Sequence, residues 1–572
     1  MIKYQVSTQN PHRHFIAFDA LFPTNNSKVL LLQIAAWRPG RYELGNFSKN
    51  IRGWNASTLN GESLPFRKLN KDLWEVECDG LDQISIRYEY YAAELNAGSS
   101  YLDEDQLYIN PVNCFFYVQQ RPDLAYEISF NFPSNYRIAC GLERIGSNVL
   151  KAKNYDELAD CPLIASATIK HLDYVVCEST YHIWIQGDVK LDETRLLHEF
   201  SEFTQSHIRL FGDIPCKEYH FLFHFTPYFI RHGVEHSNST VIAMGPAADF
   251  QGDALHKDLL GISCHELFHT WNVKNIRPIE MMPYDFTKEN YSRLGYVYEG
   301  VTTYYGDLLL WRSGAISDVE WFQAIEERLQ THFDNPGRFN LSVADSSFDT
   351  WLDGYSSGIP RRKVSIYNEG FLIALMCDLF IIHQSEGKDS LNSVMKDLYD
   401  NFGKKSVGYT ETDYRNCLTN YLGSKATILF DQLINGTEDY FPFLVESLGF
   451  AGVAMSTTPS PKWTESNLGL FLDEVNQKIT VSSIVPGSPA DDAKLWIGDE
   501  ILSVNGTAPY KNAQQLFRMS EQPLKIDFVR KGKFISTTVF TDGEVWSKRW
   551  KTQRMENANA SQSKVFEVWR YV

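Results

Sequence analysis

The sequence predicts a multidomain α+β protein: a β-rich N-terminal domain, a mainly helical middle domain and a small β-rich C-terminal module. Three observations carry this. The chain has 572 residues, well beyond the roughly 250–300 at which a single hydrophobic core stops growing. Short runs rich in β-branched and aromatic residues fill the first third, and near Asp192 the apolar spacing changes to a helical one. Late in the chain a polar, proline-bearing stretch, "STTPSPKWTESN" (Ser456 to Asn467), stands before a second β-rich block.

Taken in order, residues 1–188 are expected to form a β-sandwich-like domain. "VLLLQIAAW", "QISIRYEYYAAEL", "AYEISFNF" and "TYHIWIQGDV" are its strands, separated by Pro, Gly and Asn clusters. Residues 189–455 are expected to be mostly helical. "DETRLLHEFSEFTQSHIRLFGD" has apolar residues at helical spacing with Asp192 placed as an N-cap, and "EYHFLFHF" is one of a few strands. Residues 456–466 read as a linker, 467–542 as a compact β-rich module, and 543–572 as a charged tail bearing Trp546, Trp550 and Trp569.

The composition is that of a folded protein, 43% hydrophobic, 14% aromatic and 22% charged, with a formal net charge of −17. That charge argues against non-specific binding to nucleic acid or an anionic membrane. The start, "MIKYQVSTQNPHRHFIAF", has no apolar run behind a basic cluster and does not read as a signal peptide. "FLIALMCDLFII", from Phe371, is broken by Asp378 and falls short of the ~20 residues of a membrane span. Nine cysteines without a CxxC pair favour reduced thiols and a cytoplasmic location.

The chemistry concentrates in "GISCHELFHTWNVKNIRP", Gly261 to Pro278. On a helix, His265 and His269 are one turn apart on one face, so both imidazoles converge on one ion. Zinc suits neutral imidazole, and Glu266, next to His265, is placed to take a proton from a water on the metal. Cys264 reads as an apolar helix position. A catalytic zinc takes three protein ligands and keeps one position open. The candidate third ligand is Glu299, at the start of the helix-like run "RLGYVYEGVTTYYGDLLLWRSG"; the alternative reading is an N-terminal carboxylate favoured by the helix dipole.

"CHELFHTWNVKNIRP" followed by "GYVYEGVTTYYGDLLL" closely resembles the glycyl aminopeptidase family of zinc metallopeptidases, members of the gluzincins. "AAWRPGRYELGNFSKNIRGWNA" is similar to the family's W-x-P-G-x-Y signature, and "GRFNLSVADSSFDTWLDGY" and "VSIYNEGFLIALMCDLFI" are similar to later family segments. The resemblance implies a thermolysin-like catalytic domain and one zinc ion on His265, His269 and Glu299, with Glu266 as general base. It implies that Glu235, in "RHGVEHSNST", binds the substrate amine. His232 stands there where the family usually has glycine, and His236 reads as a packing or hydrogen-bonding residue. It implies that Tyr367 donates to the oxyanion, with Glu369 where the family has lysine. A preference for N-terminal glycine and alanine is implied in the same way.

The last module, with "LGLF" (Leu468, Gly469, Leu470, Phe471), "PGSPA", Gly498-Asp499 and Val504-Asn505-Gly506, looks like a PDZ domain. Such a domain adds a peptide as an extra strand and captures its terminal carboxylate on loop N–H groups. Two other functions stay open on the sequence: an endopeptidase with the same metal centre, and a peptide-binding scaffold acting through this module.

Overall fold

The computed structural model describes residues 1–572 apart from Ser357, Gln477, Tyr510, Lys511 and the side chain of Gln251. It divides into two compact units, residues 1–321, 336–451 and 560–572, and residues 322–335 and 452–559.

The first unit opens with one seven-stranded and two four-stranded sheets. Phe15–Pro23 and Gln83–Tyr91 pair antiparallel and bury alternate residues, because successive side chains face opposite sides of a sheet. Ile2–Ser7 runs parallel to Tyr126–Asn131, and Tyr4, Phe18 and Phe115 meet edge to face beneath these strands.

The N-terminal sheets end at Ser166, short of the expected boundary at 188. The hairpin Lys170–Val176/Ser179–Gln186 instead begins a five-stranded sheet with Glu218–Phe225, Ser239–Gly245 and Ile230–Glu235. Its strand signals are real, but its partner Glu218–Phe225 lies beyond the intervening helix Glu193–Phe211, and a period-2 pattern does not name its partner. Asp192 caps that helix, its carboxylate accepting from the Arg195 N–H at 3.0 Å. Ile230–Glu235 is antiparallel and forms the sheet edge.

Helices Asp253–Phe268, Thr302–Ser313 and Ile366–Gln384 carry the site. Ile366–Gln384 has 19 residues, more than the run from Phe371 suggested. It is long and apolar enough to cross a membrane, but 89% of that window is buried inside the protein. Asp378 accepts from the Tyr304 hydroxyl at 2.6 Å and the Leu391 N–H at 2.8 Å, so the charge is satisfied within the core. The expected tail ends in a helix, Ala560–Tyr571, whose fully buried Trp569 donates from Nε1 to the Tyr304 hydroxyl at 2.9 Å.

The second unit holds an antiparallel sheet of Leu470–Val475, Lys478–Ile484, Glu500–Val504, Leu524–Arg530 and Lys533–Val539, with helix Ala513–Met519. Its core includes Leu470, Val481, Ile501, Phe517 and Phe528. Residues 456–466 do not form a bare linker. Val453–Pro459 pairs antiparallel with Lys548–Arg554, and a short helix, Trp463–Leu468, follows. Polar composition hides this strand because its partner comes only after the whole module.

Candidate metal centre

His265 and His269 lie on the Asp253–Phe268 helix and at its C-cap, and their Nε2 atoms are 3.1 Å apart. Glu299 sits in a wide helical turn, Tyr296–Val301, that runs into the next helix. Its Oε2 lies 3.4 Å from His269 Nε2 and 3.8 Å from His265 Nε2. Bonds of ~2.0–2.1 Å in a tetrahedral site place ligand atoms roughly 3.3–3.4 Å apart, and the three separations bracket that length. The donor set therefore fits a zinc ion.

Packing sets this geometry. Gly300 and Gly370 face each other so closely that a Cβ on either would meet the other's Cα, so the Glu299 turn and the Ile366–Gln384 helix cross at backbone contact. Gly306 packs against the His265 backbone and Cβ, bringing the other two helices together.

Further residues orient the ligands. His269 Nδ1–H donates to the Asn272 carbonyl at 3.0 Å, which leaves Nε2 with the lone pair a metal needs. Asn272 in turn donates to the Val297 carbonyl and Thr302 hydroxyl, tying the segment after the histidines to the helix that carries Glu299. The Tyr42 hydroxyl donates to Glu299 Oε1 at 2.7 Å. Burial and the Glu299 charge push the Tyr42 phenol well above its ordinary pKa, so it remains a donor.

The site selects positive charge. Burial alone would depress the His269 imidazole; Glu299, Glu235 and Glu266 overcome this and raise it to about 9. Glu266 is buried, its Oε2 has no hydrogen-bond partner, and a Cβ on Gly233 would collide with its Oε1. Burial, partly offset by His269, raises the Glu266 carboxyl to about 8 in the metal-free site. A bound dication would pull it down again.

Glu235 ends the edge strand and is 7% exposed, with a backbone φ of +75° at Gly40 that lets the "RPGRY" turn lie directly on its carboxylate. Its charge acts on both Glu266 and His269. Tyr367 is 37% exposed, its ring centroid 6.5 Å from that of His265. Surrounding protein, then Glu299, Tyr355 and Glu235, raise its pKa, so it too keeps its proton. Glu369, by contrast, is buried. His232 accepts from Arg38 Nη2 at 3.4 Å; burial, then Arg38 and Arg41, lower it to about 3 and hold it neutral. His236 lies 3.1 Å from Asp160, which also pairs with Lys274 at 2.7 Å.

Sequence reasoning brought together His265, Glu266, His269 and Glu299, and placed Glu235 and Tyr367 near them. It missed Tyr42, Arg38, Asn272 and the Asp160–Lys274 pair. Tyr42 and Arg38 lie in the quoted "AAWRPGRYELG" stretch, whose aromatic and charged residues were the available signal.

The chain matches three family models: "Peptidase M61 N-terminal domain" over residues 3–167, "M61 glycyl aminopeptidase" over 258–373, and "PDZ domain" over 444–525. Among curated proteins none matches significantly. Among solved structures, an aminopeptidase N family protein from Idiomarina loihiensis is similar at 25% identity and a TM-score of 0.91, covering 100% of both chains. An M1 zinc metallopeptidase from Deinococcus radiodurans is 13% identical, covers 77% of this chain and 94% of its own, and has a TM-score of 0.48. With the N-terminal and catalytic models matched in sequence order, the chain carries both M61 peptidase domains and is a zinc metallopeptidase.

Proposed function

We propose that this zinc aminopeptidase removes small N-terminal residues, glycine and alanine, from peptides, using one ion held by His265, His269 and Glu299. Bound zinc supplies a Lewis acid and lowers the pKa of a water to ~7. Glu266 takes the proton of the attacking water and passes it to the leaving amine; its unpartnered Oε2 supports this role. Tyr367 donates to the carbonyl oxygen as charge develops there. Glu235 binds the substrate ammonium and fixes which end enters. The neutral His232 and buried Arg38 stand beside Glu235 and shape the space for the first side chain.

The observation that carries this reading is Glu235, a buried carboxylate whose charge acts on both Glu266 and His269. A single ion is also supported by the other donor group among the described residues, His182, Glu218 and His220. There Trp184 Nε1–H donates to His220 Nδ1 at 3.2 Å, which puts the His220 proton on Nε2, toward Glu218. Nε2 is then a donor rather than a ligand. Nine unpaired cysteines suit a reducing cytoplasm.

The PDZ-like module would add a peptide C-terminus along its edge strand Leu470–Val475, with Leu468, Gly469, Leu470 and Phe471 as the carboxylate loop. A panel of glycyl and alanyl amides, free and N-acetylated, assayed with and without chelator, tests the main reading. Chelator-sensitive turnover of the free amides alone is expected. Equal cleavage of the blocked substrates would point to an endopeptidase, and no cleavage of either to a scaffold.

A further inference from the structure

The charge of Arg38 is still unanswered. The residue is 3% exposed, and a guanidinium keeps its charge and offers five N–H donors. Its hydrogen bonds run to two acceptors, the Pro39 carbonyl at 3.1 Å and His232 Nε2 at 3.4 Å, and His232 is held neutral. Among the described residues no carboxylate forms an ion pair with it. A buried cation is normally paired with an anion. The guanidinium lines a pocket of about 380 Å³, with Ser99, Ser100 and Asn113 also on its wall. Gly98 makes the room, because a Cβ there would fall on the guanidinium itself. The other charges on this wall are already answered or lie in water. Arg41 pairs with Glu43 at 2.5 Å, and Lys49 and Glu94 are exposed.

The same guanidinium adjoins Glu235 and Glu266. His232, its hydrogen-bond partner, precedes Gly233, which packs on the Glu266 carboxylate, and stands three residues before Glu235. On Arg38's own segment, Gly40 lies directly against the Glu235 carboxylate. The electrostatics agree: Glu235 is the strongest charge acting on Arg38, and Arg38 in turn favours the ionised form of Glu266. With the substrate amine on Glu235, the first residue is the one held beside Arg38, and glycine or alanine brings it no counter-charge. We propose that Arg38 receives the side-chain carboxylate of an N-terminal aspartate or glutamate, so that the enzyme also removes acidic first residues. A planar guanidinium takes a carboxylate through two parallel N–H bonds, and the pocket is large enough for a side chain of that length. The bond cut is the same one: water gives its hydroxyl to the scissile carbonyl and its proton to the leaving amine. The inference rests on the aminopeptidase reading, which places the first residue here.

The test measures kcat/KM for aspartyl, asparaginyl and alanyl p-nitroanilides with the zinc-loaded full chain, Arg38→Gln and Arg38→Lys. Asparagine has the shape of aspartate without its charge, so the aspartyl-to-asparaginyl ratio within each protein reads the carboxylate alone. Hydrogen bonds between charged partners predict a wild-type ratio of about ten- to a hundredfold. It should fall to one or below in Arg38→Gln and be partly restored in Arg38→Lys. A wild-type ratio of one or less, with the alanyl substrate cleaved, would overturn the proposal and leave the aminopeptidase reading intact; this arm decides even if Arg38→Gln does not fold. An aspartyl preference that survives Arg38→Gln would also overturn it. No turnover of any of the three substrates would overturn both.

Discussion

Tyr42→Phe removes the hydrogen bond that holds Glu299, the candidate third metal ligand. The phenol donates to Glu299 Oε1 at 2.7 Å, and both residues are buried. Among the described residues no other hydroxyl is recorded donating to that carboxylate; Thr303 reaches only the Glu299 backbone carbonyl. Phenylalanine keeps the ring contacts to Tyr298 at 6.2 Å and Trp351 at 6.0 Å, so packing changes little. A hydrogen bond to a charged group contributes about 1.5–3 kcal/mol, and each 1.4 kcal/mol is tenfold in an equilibrium constant. Zinc affinity should therefore fall about ten- to a hundredfold, the range expected when a group supporting a ligand is lost. The assay is competition of apo protein against a chromophoric zinc chelator at neutral pH, with the thermal midpoint of the apo form measured alongside. A zinc Kd within twofold of wild type would refute the argument that Tyr42 positions Glu299.

Other perturbations separate the remaining roles. Glu266→Gln should bind zinc normally but lose about 10²–10⁴-fold in kcat; wild-type turnover with zinc bound would remove Glu266 from the proton path. Glu235→Gln should raise KM for free-amine substrates and narrow the gap between free and N-acetylated substrates, and an unchanged ratio would separate Glu235 from the amine. Lys274→Met leaves the buried Asp160 carboxylate without its cation and should destabilise the first unit by about 3–5 kcal/mol at pH 7, read as a lowered thermal midpoint. Burial alone would raise Asp160, but Lys274 and His236 hold it far below the usual range. Its contribution is thus present above the unfolded value of about 3.9 and is lost as pH falls below it. The penalty of Lys274→Met should shrink as the pH is lowered below about 4, and a pH-independent penalty there would contradict this pairing.

The legible parts of the site were the local ones. His265, Glu266 and His269 sit within five residues, and helical periodicity alone puts the two imidazoles on one side. Glu299 was readable as a carboxylate opening the next helix, although its wide turn was not. Tyr42 was invisible as a partner because its bond to Glu299 joins residues 257 apart in sequence, and no periodicity spans that distance. The Asp160–Lys274 pair, 114 residues apart, failed for the same reason. In the fold, alternation marked the strands of the hairpin from Lys170 but not the sheet they join. Trp569 looked like part of a charged tail because a twelve-residue helix with one apolar side is hard to tell from a tail until Tyr304 and Trp311 appear beneath it. Asp378 broke the apolar run on paper, whereas in the fold it is the hydrogen-bond acceptor that lets Ile366–Gln384 stay buried.

The most direct test of the central claim is anomalous diffraction at the zinc edge from crystals of the zinc-loaded full chain. One strong peak should lie about 2.0–2.2 Å from His265 Nε2, His269 Nε2 and a Glu299 oxygen, with a fourth position facing Glu266. A peak bound instead by His182 and His220, or a zinc held by the two histidines while Glu299 stays with Tyr42 and out of reach, would contradict the account.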